Sequence, residues 1–197
     1  MADKETLDVY DAKAAEYARR FPGERTDPTL QGFMAKLPEG GRVLELGCGP
    51  GRTAAALIAA GFEVDAVDAS AGMAAEAKAQ FGVTVRVATF DQIEGTGLYD
   101  GIWANFSLLH APRADFPRHL AALHQAAKPK GRLHIGMKLG SGEKRDSLGR
   151  HYAYYGEEEL RSLLTTAGFT VETTELGESE GLAGGGKEPF AIIAAHA

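Results

Sequence analysis

The 197-residue sequence has a single cysteine, Cys48, and no long hydrophobic run. One cysteine excludes an internal disulfide and a cysteine-based metal site, so we expect no metal. No apolar segment approaches the roughly 20 residues that cross a membrane. The polar N-terminal segment MADKETLDVYDAK also lacks the apolar core of a secretion signal. We therefore expect a cytoplasmic protein without a membrane partner.

Basic residues are also few. Lysine and arginine total 21 against 27 aspartates and glutamates, which gives a net charge of -6. This balance opposes the positive surface that phosphate backbones require, so a nucleic-acid partner is not expected. The content of 44% hydrophobic and 24% charged residues is that of a soluble globular protein. We expect one domain over residues 1–197, with residues 1–37 as an N-terminal helical cap, either monomeric or homodimeric.

Short apolar runs alternate with amphipathic stretches along the chain, which is the pattern of βαβ units. We expect an N-terminal helix with Tyr10, Tyr17 and Phe21 on one face, ended by Pro22 and Gly23. Further helices are predicted over 29–37, 52–60, 71–80, 116–127 (capped by Asp115) and 157–167. Strands are predicted over 43–46, 62–68, 83–87, 99–105 and 132–138, followed by an antiparallel hairpin of 169–176 and 190–197. Such an open α/β sheet, with helices on both faces, binds ligands at the carboxyl ends of its strands.

A glycine turn follows the first predicted strand, in the segment VLELGCGPG. Gly47, Gly49 and Gly51 allow a tight turn and a close approach of a ligand to the backbone. Two alternatives fail on spacing. The dinucleotide fingerprint requires a small residue where Arg52 stands, and a phosphate loop requires a glycine at the position of Leu46 and a lysine that is missing.

Two acids narrow the choice of ligand. Glu45 lies two residues before the glycine turn, where a carboxylate repels a pyrophosphate and attracts a ligand with an ammonium group. Asp68 ends the second predicted strand, at the distance expected for an acid that binds both hydroxyls of a ribose. A ribose together with a positive charge points to S-adenosylmethionine.

Three segments, LELGCGPGR, VDAVDAS and YDGIWANFSLLH, resemble the first, second and fourth motifs of class I S-adenosylmethionine-dependent methyltransferases. The segments KPKGRLHIGMK and EELRSLLTTAGFTVE resemble the later strands and last helix, so the similarity covers nearly the whole chain. The resemblance implies a Rossmann-like, open, twisted, seven-stranded sheet of order 3-2-1-4-5-7-6, with strand 7 antiparallel. It also implies S-adenosylmethionine as the cofactor.

The resemblance implies a set of cofactor-binding residues. Asp68 binds the ribose, Ala69 and Met73 flank the adenine, and Asp91 accepts from the adenine amino group or serves only as a cap. Tyr17 covers the methionine end or is a core aromatic. The full set is Tyr17, Glu45, Gly47, Cys48, Gly49, Gly51, Asp68, Ala69, Met73, Phe90, Asp91, Asn105 and Phe106.

Methyl transfer from a sulfonium is an in-line displacement that needs alignment and exclusion of water more than a dedicated base. His110, after the fourth predicted strand, and His151 are the candidate bases, each with a structural alternative. His119 and His124 are expected on the surface of their helix.

The glycine-punctuated segment LGSGEKRDSLGRHYAYY is predicted to form a lid or acceptor-side loop. Arg150 and Tyr154 are its substrate-side candidates, and Lys144, Arg145 and Arg150 are hypothesised to recognise an anionic acceptor. Because no appended domain or basic tail is evident, we expect a small-molecule methyl acceptor.

Three other interpretations stay open. The protein could sense S-adenosylmethionine as a regulatory module without turnover. It could be an oxidoreductase that binds a nicotinamide dinucleotide, which Glu45 and Arg52 disfavour. It could also methylate RNA through a basic patch of Lys128, Lys130 and Arg132, although these residues precede the fifth predicted strand, opposite the expected ligand edge.

Overall fold

The computed structural model describes residues 3–20, 27–180, 183–184 and 186–197. Phe21, Pro22 and Gly23, which the sequence predicted at the end of the first helix, lie outside the described residues. The helices are α1 Lys4–Arg20, α2 Pro28–Met34, α3 Arg52–Ala59, α4 Ala71–Phe81, α5 Phe116–Ala126 and α6 Glu157–Thr166. The strands are β1 Arg42–Leu46, β2 Glu63–Asp68, β3 Arg86–Val87, β4 Tyr99–Asn105, β5 Ala127–Lys138, β6 Glu143–Arg145, β7 His151–Ala153, β8 Thr170–Glu180 and β9 Lys187–His196.

Seven strands form one sheet of order β3-β2-β1-β4-β5-β9-β8. The pairs from β3 to β5 are parallel, and β9 runs antiparallel to both β5 and β8. The predicted sheet order and antiparallel strand are therefore confirmed, since β6 and β7 form a separate hairpin within the loop after β5.

Alternating residues of the central strands face opposite layers of helices. Leu44, Leu46 and Ile102 belong to the larger core that packs with α5 and α6. Val43 and Trp103 point the other way and pack with α2 and α3. This burial on both faces explains the nearly continuous apolar character of β1 and β4.

Local signals set most helix boundaries. Ser70 begins α4 by accepting from the Met73 amide at 3.0 Å, and Gly82 ends this helix in the left-handed conformation, with φ 70. Asp27 caps α2 in the same way. The predicted cap of α5 is wrong in detail, because Asp115 makes no side-chain capping bond and its carboxylate pairs with Arg118 instead.

Several predicted boundaries also differ. Strands β8 and β9 extend further into their hairpin than predicted, to Glu180 and from Lys187. Helix α2 ends at Met34 instead of residue 37, and strand β3 shrinks to Arg86 and Val87 because it lies at the edge of the sheet, with only β2 to pair. Strand β5 begins five residues early, at Ala127, where it continues directly from α5 and pairs with Tyr99. None of these differences moves the carboxyl ends of β1, β2 and β4.

Candidate functional site

A cleft opens at the carboxyl ends of β1, β2 and β4 and contains ≈ 860 Å³ of empty space, part of which is open to solvent. Eleven of the residues singled out from the sequence line it: Tyr17, Gly47, Gly49, Asp68, Ala69, Met73, Phe90, Asp91, Asn105, Phe106 and His110.

The glycines of the turn after β1 have different tasks. All three have positive φ angles, 73 for Gly47, 53 for Gly49 and 78 for Gly51. A Cβ on Gly47 would lie 2.3 Å from Ser107 Cβ and one on Gly51 would lie 2.6 Å from Ala77 Cβ, whereas one on Gly49 would meet nothing within 4 Å. Gly51 therefore lets α3 pack on α4 and does not line the cleft, contrary to its predicted contact with the cofactor. Gly49 leaves its space to a ligand.

Asp68 is fixed in the cleft by backbone donors. Its Oδ2 accepts from the Gly49 amide and its Oδ1 from the Ser70 amide, both at 2.8 Å. Burial raises the pKa of the carboxyl. The Ala69 amide also donates to this carboxylate. A carboxylate offers about four acceptor sites, so capacity remains for a hydrogen bond from a ligand.

Glu45 and Cys48 lie behind the glycine turn and do not line the cleft. Glu45 is bonded by the Thr53 hydroxyl and the Ala54 amide, while its Oε2 has no hydrogen-bond partner. Burial, together with the nearby negative charge of Asp68, raises the pKa of Glu45 to about 8. Burial also raises the pKa of the Cys48 thiol, so Cys48 serves as a packing residue in the turn.

Phe90, Asp91 and His119 line another part of the cleft. Asp91 forms an ion pair with Arg118 at 2.7 Å, and the ring of His119 packs edge-on against Phe90 with 5.7 Å between centroids. The expectation that His119 lies on the helix surface is wrong, because the turn that follows β3 covers this ring. Its buried Nδ1 has no partner, and burial lowers its pKa.

The segment after β4 carries backbone strain. Phe106 has φ 53, a left-handed conformation that costs a non-glycine residue of the order of 1 kcal/mol. Its amide donates to the Gly136 carbonyl at 3.1 Å, and its ring packs edge-on against Phe190. Asn105, just before it, accepts from His134 Nε2 at 3.1 Å. These contacts hold the Phe106 ring at the cleft.

Helix α1 covers one side of the cleft with Thr6, Leu7, Tyr10 and Tyr17, and Asp3 just before the helix lines it as well. It is attached to the start of α4, where Asp11 accepts from the Ser70 hydroxyl and the Gly72 amide. It is attached to the loop after β5 as well, where the Thr6 hydroxyl accepts from the His151 amide at 2.8 Å.

His110 lies in a chain of buried hydrogen bonds. Its Nδ1 is 2.7 Å from the His151 carbonyl, which can only accept, so Nδ1 carries the proton. Its Nε2 must then accept from the Tyr10 hydroxyl, also at 2.7 Å. Tyr10 in turn accepts from Arg150 Nη1 at 2.9 Å. Burial lowers the pKa of His110 to about 4, so its imidazole is neutral at pH 7.

The other acceptor-side candidates do not line the cleft. Arg150 is only 2% exposed, and its guanidinium is paired with Asp146 at 2.7 Å, so it supports Tyr10 from behind and cannot contact an anionic acceptor directly. The Tyr154 hydroxyl donates to Glu188 at 3.2 Å. The His151 ring lies 3.5 Å from Glu143, and only its backbone joins the site, through His110.

The two remaining basic residues of the predicted acceptor loop are also engaged. Arg145 pairs with Asp3 at 2.7 Å, and Lys144 lies over the Tyr154 ring at 4.5 Å and 3.8 Å from Glu188. Because Lys144, Arg145 and Arg150 all have such partners, the hypothesis that this loop binds an anionic acceptor directly has no free cation to rest on.

Sequence reasoning missed several lining residues: Asp3, Thr6, Leu7, Thr89, Ser107, Ala111, Pro112 and His119. Tyr10 was interpreted only as a helix-face aromatic. Its seven-residue spacing from Tyr17 does place both rings on one helix face, 6.0 Å apart, but no pattern showed that this face closes a cleft.

Comparisons with known proteins agree with this geometry. A family model described as a methyltransferase domain matches residues 15–174. The chain belongs to this family. The resemblance to class I S-adenosylmethionine-dependent methyltransferases is confirmed by the match and by the sheet order, and S-adenosylmethionine is the cofactor of the family. No curated protein matches the chain.

Solved structures share the methyltransferase fold at low identity. The Burkholderia thailandensis 1,6-didemethyltoxoflavin N1-methyltransferase, solved with 1,6-didemethyltoxoflavin and S-adenosylhomocysteine, has a TM-score of 0.76 and 23% identity, covering 100% of this chain and 90% of that chain. A Methanosarcina mazei methyltransferase has a TM-score of 0.73 and 18% identity, covering 87% of this chain and 97% of that chain. The match to the [4+2]-cyclase SpnF has a TM-score of 0.74 and 16% identity, and it covers 96% of this chain and 94% of that chain. The same fold therefore occurs in proteins with different reactions.

None of the helices among the described residues is long and apolar enough to cross a membrane. Those residues also contain no group of three or more histidine, cysteine, aspartate or glutamate side chains placed to hold a metal ion.

Proposed function

We propose that this methyltransferase-family protein binds S-adenosylmethionine in the cleft and transfers its methyl group to a small molecule. The observation that carries the proposal is Asp68, a buried carboxylate at the end of β2 that lines the cleft together with Gly49 and is held by its amide. A carboxylate in this position can accept from a hydroxyl of a ribose.

The chemistry of the cleft fits the cofactor. Asp3, Asp68 and Asp91 line it, and none of the described lining residues is a lysine or arginine. Asp3 and Asp91 are paired with Arg145 and Arg118, so the preference for a positive ligand rests on Asp68. The Asp68 carboxylate and a lining without a cation suit a ligand with a sulfonium and an ammonium group and disfavour a dinucleotide with a pyrophosphate. The space at Gly49 and the unpartnered Ser107 hydroxyl near Gly47 provide room and a hydrogen-bonding group at the turn.

Each predicted cofactor residue then has a proposed task. Asp68 holds the ribose, Ala69 and Met73 flank the adenine, and Phe90 with Asp91 borders it. Tyr17 covers the methionine end from α1. Glu45 supports the turn from behind through its hydrogen bonds with Thr53 and Ala54, since it is 3% exposed and does not reach the cleft.

The cofactor supplies a methyl group already activated by the positive sulfur, so the protein has to align the acceptor and exclude water. Helix α1 and Phe106 close the cleft around the acceptor. His110 is a weak base here, because Tyr10 already donates to its lone pair. We propose that His110, supported by Tyr10 and Arg150, shapes the acceptor site.

Calorimetric titration with S-adenosylhomocysteine tests the proposal. Replacing Asp68 with alanine removes a charge-assisted hydrogen bond to the ribose, so we expect the dissociation constant to rise at least about tenfold. The matched control is Glu63→Ala at the exposed start of the same strand, which should bind as wild type does. Failure of wild type to bind, or equal binding by Asp68→Ala, would contradict the proposed site.

A turnover assay separates the enzyme from a regulatory module that binds S-adenosylmethionine without reaction. We expect S-adenosylhomocysteine to accumulate only when an acceptor is present, as followed by mass spectrometry. Release that depends on added RNA, and on no small molecule, would favour the RNA methyltransferase instead. A cytoplasmic location and a monomeric or homodimeric state are part of the proposal.

A further inference from the structure

Under the proposed function, we assign to the acceptor half of the cleft a set of lining residues from the start of the described chain and from the segment after β4. These residues are Asp3, which precedes α1, Thr6, Leu7, Tyr10, Phe106 and His110. With neutral His110, the only charge among them belongs to Asp3. An acceptor with a carboxylate or phosphate would therefore meet no direct cationic partner in the described lining.

Two cations, Arg145 and Arg150, bond residues of this lining, and both are paired with carboxylates. Both terminal nitrogens of Arg145 bond the Asp3 carboxylate, at 2.9 and 2.7 Å, and its Nε lies 3.3 Å from Glu5. This guanidinium holds the pKa of Asp3 well below its ordinary value, so the pair stays ionised. Arg150 is buried and pairs with Asp146. An anion that entered the acceptor half would therefore lose its hydration without gaining an ion pair in exchange.

The acceptor half also lacks a free proton acceptor. His110 is the only imidazole in it, and both ring nitrogens are engaged, Nδ1 with the His151 carbonyl and Nε2 with the Tyr10 hydroxyl. The Asp3 carboxylate is held by Arg145. An alcohol, which must lose its proton as it attacks, finds no group here to take it.

Aromatic rings form the walls. Tyr10 packs edge-on against His110 with 5.3 Å between centroids, and Phe106 is held at the cleft in a strained backbone conformation. Leu7 adds an aliphatic surface. Flat aromatic molecules pack well against such walls, in stacked or edge-on arrangements.

We propose that the methyl acceptor is an uncharged aromatic heterocycle that attacks through a ring nitrogen. The proposal rests on the proposed function and combines the lack of a free cation, the lack of a free proton acceptor and the aromatic walls of the acceptor half. The nitrogen lone pair forms the new N–C bond while the S–C bond of the cofactor breaks. The electron pair of the broken S–C bond stays on sulfur. A ring with an N–H loses that proton to water afterwards, and a ring without one leaves as a cation. No base on the protein is needed in either case.

The test uses the protein saturated with S-adenosylhomocysteine and a matched pair of probes, quinoline and quinoline carboxylate. Their dissociation constants are measured by saturation-transfer NMR titration. We expect quinoline to bind at least tenfold more tightly than its carboxylate. Equal or tighter binding of the carboxylate, or no binding of quinoline, overturns the proposal.

A charge variant sharpens this test. In Asp3→Asn with Glu5→Gln the Arg145 cation loses its carboxylate partners, so we expect the carboxylate probe to bind at least tenfold more tightly than it binds wild type. The control is Asp8→Asn with Glu16→Gln, which makes the same charge change at exposed positions of α1. An unchanged affinity in the first variant, or an equal gain in the control, overturns the charge argument.

The attacked atom is tested with a hydroxyquinoline, which offers a ring nitrogen and a hydroxyl in one molecule. With S-adenosylmethionine we expect the N-methyl product by mass spectrometry. The O-methyl product, or no product, overturns the proposal. Failure to bind S-adenosylhomocysteine in the first place would instead refute the proposed function, so the two failures are distinguishable.

Discussion

The two halves of the cleft are built differently. The cofactor half rests on the backbone, with Gly47, Gly49 and Asp68 at the ends of adjacent parallel strands, and its key hydrogen bonds join residues about 20 positions apart or fewer. The acceptor half rests on side chains from distant segments, since Tyr10 bonds His110 and Arg150 across 100 and 140 residues. Under the proposed function, cofactor recognition is thus part of the fold, whereas acceptor recognition depends on how separate segments meet.

The largest effect is expected from a change in the turn of the cofactor half. In Gly47→Ala the new methyl group overlaps Ser107 Cβ and the residue keeps a positive φ, so we expect the free energy of unfolding to fall by about 3 kcal/mol. Urea unfolding measures it. The matched control is Gly82→Ala, with φ 70 and open space around its Cβ, which should cost only about 1 kcal/mol. Equal losses would show that packing against Ser107 is unimportant.

A smaller effect is expected in the acceptor half. Tyr10→Phe leaves His110 Nε2 and Arg150 Nη1 without their buried partner, which should lower the free energy of unfolding by about 2 kcal/mol. The control is Tyr155→Phe, because the Tyr155 hydroxyl is buried without a partner and its loss should cost little. Urea unfolding at pH 7 compares the two, and a larger loss in Tyr155→Phe would contradict the hydrogen-bond chain.

The smallest effect concerns acid pH. Burial lowers the pKa of His110 to about 4 from an ordinary value of 6.5, so between these values the unfolded chain binds a proton that the folded chain does not. Stability therefore falls as the pH drops through this window, by about 1 kcal/mol from this group between pH 7 and 5.5. In His110→Gln this part of the pH dependence of the free energy of unfolding should be lost. An unchanged slope would show that His110 does not titrate in this way.

Much of the cofactor half was predictable from the sequence because its signals are local. The positions of Gly47, Gly49 and Asp68 follow from strand ends and spacing, and the structure brings them together as expected. Gly51 was predicted to contact the cofactor, and in the structure it lies against α4, because a glycine that serves helix packing looks the same in sequence as one that serves a ligand. Its role appears only when Ala77 is seen 2.6 Å away.

The acceptor half was harder to predict for an electrostatic reason. The sequence shows that Arg145 and Arg150 are basic, but it does not show that Asp3 and Asp146 neutralise them. Outside the acceptor half, the sequence also did not show that His119 is covered, since its burial depends on Phe90, which comes from another segment.

The sequence alone determined the βαβ alternation, the sheet that follows from it and the family, because these depend on hydrophobic period, glycine conformation and the order of motifs along the chain. Only the tertiary structure decided which charges are free, which nitrogen of His110 carries the proton and which rings close the cleft. Those properties depend on distances between residues as many as 142 positions apart, as in the contact of Asp3 with Arg145, and such distances exist only after the chain has folded.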